Sequence, residues 1–251
     1  MSAIDLHARR LPGFHDRVAQ SLAVLRDAAA SHSGRIVQAT SLGAEDMVIT
    51  DLIARHGFEI DIATLATGKL HEETEALVPR IEAHYGLRVT RFEPKPEAVI
   101  HFVRSHGEKA MVRSIELRKA CCNVRKLEPL SRMLEGRTAW VTGLRREQSD
   151  ARAEVALLQP GSDGRVKVNP LGEWSWADVW HYIAEYGVPY NPLHDEFFPS
   201  IGCAPCTRAV AVGEPFRAGR WWWEDEAAKE CGLHVEGDAR VPSSSRIAVT
   251  A

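Results

Sequence analysis

The feature that most constrains this chain is an alternation of short apolar runs with amphipathic helical segments, each pair joined by a glycine-containing turn. Ile36-Val37-Gln38-Ala39-Thr40 reads as a buried strand, Ser41–Asp46 as a turn, and Met47–Arg55 as a helix that Gly57 ends. The unit then repeats. Ile60–Leu65 is a strand, Ala66-Thr67-Gly68-Lys69 a turn, Glu72–Tyr85 a helix closed by Gly86, and Leu87–Phe92 a third strand. Strands that alternate with helices need right-handed crossovers, so the expected fold class is α/β, with a mostly parallel sheet and helices on both faces. Upstream, Phe14, Val18, Leu22 and Leu25 fall at helical spacing within Phe14–Ala30. Downstream, Thr138–Gly143 and Arg165–Asn169 are further strands, and a helix over Trp176–Tyr186 follows Ser175 as N-cap.

From Gly187 the texture changes: Pro, Gly, Trp and Cys cluster and periodicity fades. That predicts an irregular lobe organised by ligands rather than by a hydrophobic stripe. The expected organisation is a single domain over 1–234, with the lobe at about 187–234, and a mobile tail over 235–251 that carries Ser243-Ser244-Ser245.

Composition excludes several classes. Of 251 residues, 45% are hydrophobic and 26% charged, which leaves neither a fibrous nor a wholly disordered chain. With 31 basic against 34 acidic residues, the net charge of -3 argues against a dedicated nucleic-acid binder. No apolar run approaches the ~20 residues of a membrane span. The opening MSAIDLHARRLPG lacks the apolar core of a secretory signal, so the expected compartment is the cytoplasm, with no membrane partner.

The five cysteines carry most of the chemical information. Their odd number in a chain without a signal argues against a disulfide framework. Cys121-Cys122 are adjacent, and Cys203-Ala204-Pro205-Cys206 follow after 80 intervening residues. A C-x-x-C turn converges two thiolates on one metal centre. An adjacent pair is awkward on one small ion and easier on a cluster, where each sulfur binds a different iron. Spacing thus favours a 4Fe–4S cluster over structural zinc, while a redox C-x-x-C leaves Cys121-Cys122 without a part. Cys231 remains, in Lys229-Glu230-Cys231-Gly232-Leu233-His234. A neighbouring Lys and His favour a thiolate nucleophile, although a lone cysteine near a chain end is more often inert.

Basic residues gather around these features. Arg118, Lys119, Arg125 and Lys126 flank the cysteine pair; Arg145, Arg146 and Arg152 lie in one segment; Arg208, Arg217 and Arg220 follow the C-x-x-C, with Arg220 beside Trp221-Trp222-Trp223. In an acidic chain this suggests charge compensation and anion capture, against the plainer reading of a solvated face. Ser41 and Gly43 suit a strand–turn–helix that presents backbone N–H groups to an anion, or simply a tight connection. The turn is neither a dinucleotide fingerprint nor a Walker A loop. His71 and His194 read as structural histidines.

These residues resemble one family, the assimilatory adenylyl-sulfate (APS) and phosphoadenylyl-sulfate (PAPS) reductases. The blocks SLGAEDMVITDLI, TGKLHEET, CCNVRKLEPL, WVTGLRREQS, NPLGEWSWADVW, VPYNPLHD, PSIGCAPCTRA, RAGRWWWE and KECGLH carry the resemblance, from about position 40 to 234. It implies an adenine nucleotide α-hydrolase-like (PP-loop) fold, with Ser41–Asp46 as the modified pyrophosphate loop. It implies a 4Fe–4S cluster on Cys121, Cys122, Cys203 and Cys206, which makes the lobe cluster-binding and favours adenosine 5′-phosphosulfate as substrate. It further implies reduction to sulfite with thioredoxin, or a glutaredoxin, through an S-sulfocysteine on Cys231, and a homo-oligomer. By matching motifs, Lys126, Arg217 and Arg220 would contact the sulfate, Arg145 and Arg146 would line the nucleotide site, and Ser41 and Gly43 would face the phosphosulfate or ribose. Leu65, Thr67 and Gly68 would lie near the adenosine, and His234 would position the Cys231 segment. One departure stands out: the family often has Leu-Asp-Thr-Gly where this chain has Leu65-Ala66-Thr67-Gly68. The rivals are a PAPS or dual-specificity reductase, a PP-loop sulfur transferase, which would need a Ser-Gly-Gly-x-Asp-Ser loop absent here, and a non-enzymatic iron–sulfur sensor.

Overall fold

The computed structural model describes residues 1–149 and 152–224. In chain order the elements are α1 (Ala3–His7), α2 (Phe14–Ser31), β1 (Ile36–Thr40), α3 (Ala44–His56), β2 (Asp61–Leu65), α4 (Glu72–Tyr85), β3 (Val89–Phe92), α5 (Pro96–His106), α6 (Ile115–Cys122), α7 (Glu128–Met133), β4 (Ala139–Val141), β5 (Leu158–Pro160), β6 (Val166–Val168) and α8 (Trp176–Tyr186). A π-helical turn, Asn123–Leu127, joins α6 to α7. The helix α8 begins as its sequence suggests: Ser175 and Asp178 form a reciprocal capping box. Gly86 and Gly187 end α4 and α8 in the left-handed region, with φ of 65° and 64°, where a Cβ would be strained.

The six strands form one sheet in the order β3-β2-β1-β4-β6-β5. All pairings are parallel except β5 with β6, which is antiparallel. The chain lays β1, β2 and β3 outward in one direction, then returns to place β4 on the other side of β1. That reversal opens a crevice beyond the carboxyl ends of β1 and β4, where ligands bind in open α/β sheets. The edge hairpin β5–β6 departs from the simple βα alternation. Only its second strand has a clear sequence signature.

Strand periodicity sorts the core into two layers. Ile36, Ile62, Ala139 and Val141 face one side and pack with Leu25, Met47, Leu52, Leu77, Ile81, Trp174 and Trp180 from α2, α3, α4, α8 and the segment before it. Val37, Ala63 and Trp140 face the other and pack with Leu130, Met133 and Leu134 from α7 and its end. Helices therefore cover both faces. A third, smaller cluster joins Phe102, Ala110 and Met111 to Cys121, Cys203, Cys206 and Trp221. Within 187–224 the described chain makes two short 3-10 turns, Pro192–Glu196 and Ala204–Cys206, and one isolated antiparallel bridge between Thr207 and Arg220, so the lobe is irregular as expected. Among the described residues no helix is long and apolar enough to cross a membrane.

Candidate functional site

A cleft of about 200 Å³ lies beyond the ends of β1, β2 and β4. The loop after β1 forms its floor. Asp46, in the first turn of α3, accepts hydrogen bonds on Oδ2 from both the backbone N and the Oγ of Ser41, at 2.6 Å each. The Thr40 Oγ1 accepts from Leu42 N at 3.0 Å. Leu42 takes a left-handed backbone (φ 63°) with its side chain fully buried. A non-glycine residue there costs on the order of 1–3 kcal/mol, which the burial of its isobutyl group offsets. The result is a tight loop that leaves Gly43 at the N-terminus of α3 without a side-chain cap. Burial pushes Asp46 up to about 6, against the Ser41 hydrogen bonds that hold it down. Gly143, at the end of β4, closes over this carboxylate: a Cβ there would sit 2.5 Å from Asp46 Oδ1.

Four basic side chains line the cleft: Lys126 from the π-helical turn, Arg152, and Arg217 and Arg220 from the lobe. Against them stand Glu45 and Asp46. Glu45 is already matched, because its Oε1 accepts from Arg145 Nε at 3.0 Å and from Gln148 Nε2 at 2.9 Å. Gln148 in turn accepts from Arg152 Nη1 at 2.6 Å. Arg220 is buried and lies over the Trp221 ring at 4.6 Å, with Nη1 3.4 Å from both Ser200 Oγ and Ile201 O. The charge balance therefore favours an anion. His194 also lines the cleft, with Nδ1 2.8 Å from Phe198 O. Burial pulls it down to about 4, so at neutral pH its ring is uncharged.

The four cysteines of the two motifs line one small second cavity, with Lys69, Arg118, Arg125, Lys126 and Trp221 around it. Cys121 and Cys122 are placed by α6, which Ser114 caps through the Leu117 N–H. The C-x-x-C turn is pinned by two bonds: Ala204 N donates to Lys69 O at 2.8 Å, and Cys206 N to Cys203 O at 2.9 Å. Thr67 Oγ1 lies 3.3 Å from Cys203 Sγ, and Arg125 Nη1 donates to Thr67 O at 2.7 Å. Burial raises the Cys121 thiol, and burial with the neighbouring Cys203 raises Cys206 to about 11. Among the described residues, no group of three or more His, Cys, Asp or Glu side chains is arranged to hold a metal ion. Lys126 lines both cavities and so stands between them.

Of the sequence-derived site residues, Ser41, Gly43, Leu65, Thr67, Lys126, Arg217 and Arg220 line the cleft. Gly68 does not; it makes room for Arg125, whose Nη1 would be 3.3 Å from a Cβ there. Arg145 is also displaced from the expected position. Its guanidinium is 1% exposed and is used inside the protein by Glu45, Glu147 and the Trp174 carbonyl. Arg146 points to Val155 O and Glu173 on another face. Cys231 and His234 lie outside the described residues, as does the tail. Gln148, Arg152, Ser200, Ile201, Gly202 and Phe216 line the cleft without having been singled out as binding residues. Arg152 had a signal, its place in the basic Leu144–Arg152 segment; the others are small or neutral and had none.

This architecture is shared with known proteins. Residues 35–209 match the family model described as the phosphoadenosine phosphosulfate reductase domain. An adenosine 5′-phosphosulfate reductase of Allochromatium vinosum is 54% identical over 200 residues, covering 79% of this chain and 78% of that protein. Its namesake from Burkholderia cepacia is 49% identical, covering 82% and 83%. Among solved structures, a PAPS reductase from Candida auris in a phosphate complex superposes with a TM-score of 0.65 at 27% identity, covering 81% of this chain and all of that one. An FMN adenylyltransferase of Candida glabrata reaches 0.54 at 14% identity, covering 86% and 75%, which shows the shared PP-loop fold alone. The fold is that of the adenine nucleotide α-hydrolases, and the chain belongs to the phosphoadenosine phosphosulfate reductase family.

Proposed function

We propose that this protein reduces adenosine 5′-phosphosulfate to sulfite and AMP in sulfate assimilation, with thioredoxin, or a glutaredoxin, as the reductant. The observation that carries the reading is the junction at Lys126, a cation common to an anion-favouring cleft and to a cavity lined by four cysteines. The names of the relatives point the same way.

Support for a 4Fe–4S cluster comes from the donor set: four sulfurs from two remote segments line one cavity, with four cations beside them to offset thiolate charge. Cys121, Cys122, Cys203 and Cys206 would hold it, and when bound it supplies a fixed charge distribution and a covalent tie between α6 and the lobe. The chain's own residues do the rest. The substrate lies with its nucleotide toward Leu65, Thr67 and the Ser41–Gly43 loop, and its sulfate toward Lys126, Arg217 and Arg220. The cations there stabilise negative charge as the sulfur–oxygen bond to AMP breaks. The Cys231 thiolate attacks the sulfate sulfur, and AMP leaves with the bridging oxygen and the bond's electron pair. The enzyme then carries an S-sulfocysteine. A thioredoxin thiolate attacks the Cys231 sulfur, expels sulfite with the electron pair and forms a mixed disulfide, which the second thioredoxin cysteine resolves. His234 positions the Cys231 segment. Residues 1–234 act as one catalytic domain, in the cytoplasm and as a homo-oligomer, without nucleic acid or membrane.

The test is sulfite release by the cluster-loaded protein with reduced thioredoxin, comparing kcat/KM for APS and PAPS. The proposal expects turnover and a preference for APS. Equal or greater kcat/KM with PAPS would replace the substrate assignment, and no sulfite from either would end the reductase reading.

A further inference from the structure

Trp221 has a conformation that its surroundings must enforce. It is a bulky residue at φ 39°, in the left-handed region, and its side chain is 1% exposed. Two guanidiniums share its ring. Arg118 Cζ lies 4.5 Å from the ring centroid and Arg220 Cζ 4.6 Å. The two arginines belong to different cavities: Arg118 lines the four-cysteine cavity with Trp221, whereas Arg220 lines the cleft. Arg118 is fixed from behind, with Nε 2.7 Å from Glu224 Oε1 and the two side chains 1% and 3% exposed. The turn is fixed as well, by Trp221 N to Cys206 O at 3.2 Å and Glu224 N to Trp221 O at 2.8 Å. Cys231 follows seven residues after Glu224.

We propose that Trp221, held by Arg118 and Glu224, is a positioning residue that sets the place of Arg220 in the cleft and so transmits the packing of the cysteine cavity to sulfonucleotide binding. The inference rests on the reductase reading for the identity of the ligand. Its physical basis is that a guanidinium gains from an aromatic face in a desolvated site, and that the planar Arg118 fork cannot be replaced by a lysine without losing the stack. Arg118 is not among the residues that line the cleft. An effect on substrate affinity from changing it must therefore travel through its neighbours.

The experiment is a set of variants in cluster-loaded protein, each carrying Cys231→Ser so that APS binds without turnover, with APS affinity, cluster absorbance and Tm measured together. Arg118→Lys retains the charge opposite Glu224 and loses the stack; it should weaken APS binding about three- to tenfold with cluster content unchanged. Trp221→Leu should weaken binding about tenfold or more, Trp221→Phe should restore most of that, and Arg118→Lys should add nothing in the Trp221→Leu background. Unchanged affinity in Arg118→Lys overturns the proposal. So does a loss of affinity that tracks cluster loss, or additive effects in the double variant. If Trp221→Leu does not fold, the Arg118→Lys and Trp221→Phe pair still decides. If the Cys231→Ser parent binds no APS at all, it is the reductase reading that fails.

Discussion

Replacing Gly202 with alanine should separate substrate binding from folding. A Cβ at this position would fall 2.5 Å from Arg220 Nη2, 2.6 Å from Cζ and 3.1 Å from Nη1. The obstructed atoms are the end of a flexible side chain, so the guanidinium yields before the backbone does. Its hydrogen bonds to Ser200 and Ile201 are long, 3.4 Å each, so the Trp221 ring is its main support and the new methyl group pushes the guanidinium off that ring. Once displaced, Arg220 no longer meets the substrate sulfate. A hydrogen bond to a charged group is worth roughly 1.5–3 kcal/mol, so affinity for APS should fall about ten- to one-hundredfold. Isothermal titration of APS into the Cys231→Ser form, alongside KM in the active enzyme, reads the change, while Tm and cluster absorbance remain near wild type. Arg220→Ala should lose a similar amount, and the double variant no more than either alone. Full affinity in Gly202→Ala would refute the placement of Arg220 at the sulfate.

Other outcomes follow from the same contacts. Arg145→Ala should cost about 3–5 kcal/mol of stability in denaturant titration, because it leaves Glu45 without its buried partner; a stable variant with only a raised KM would return Arg145 to the nucleotide site. Asp46 is held above its ordinary value, from 3.8 to about 6, so the folded state binds the proton more tightly than the unfolded one. Its contribution is greatest at low pH and is lost as pH rises through about 6, by up to roughly 2–3 kcal/mol. Wild type should therefore gain Tm relative to Asp46→Asn between pH 8 and pH 5, and parallel curves would contradict this. Cys203→Ser should abolish the brown cluster and lower solubility, whereas Cys231→Ser should abolish turnover with the cluster intact.

The sheet's first half was legible because its signals are local. The strands at Ile36–Thr40 and Asp61–Leu65 and the helices at Glu72–Tyr85 and Trp176–Tyr186 carry period, caps and glycine stops within a few residues of one another. The stretch from Pro96 to Met133 was not. There α6 and the π-helical turn pack on cysteines and arginines, which leaves them little apolar periodicity, whereas α5 carries Val99, Phe102 and Val103 at helical spacing and was passed over. The arginines show why a motif does not fix a role. Arg145 and Arg220 are alike in sequence, each a basic residue in a block that carries the family resemblance. Their difference is set by Glu45, 100 positions away, which claims one and leaves the other to the cleft. Cys121-Cys122 and Cys203 with Cys206 line one cavity, and the backbone bond from Ala204 to Lys69 that ties the C-x-x-C turn down there has no sequence signature.

Intact-mass analysis after mixing the cluster-loaded protein with APS, in the absence of thioredoxin, tests the central claim most directly. The account predicts one added SO3 group per chain, mapped by peptide fragmentation to Cys231 and released as sulfite when reduced thioredoxin is supplied. An adduct on another residue, or sulfite formed with no adduct at any time, would contradict it.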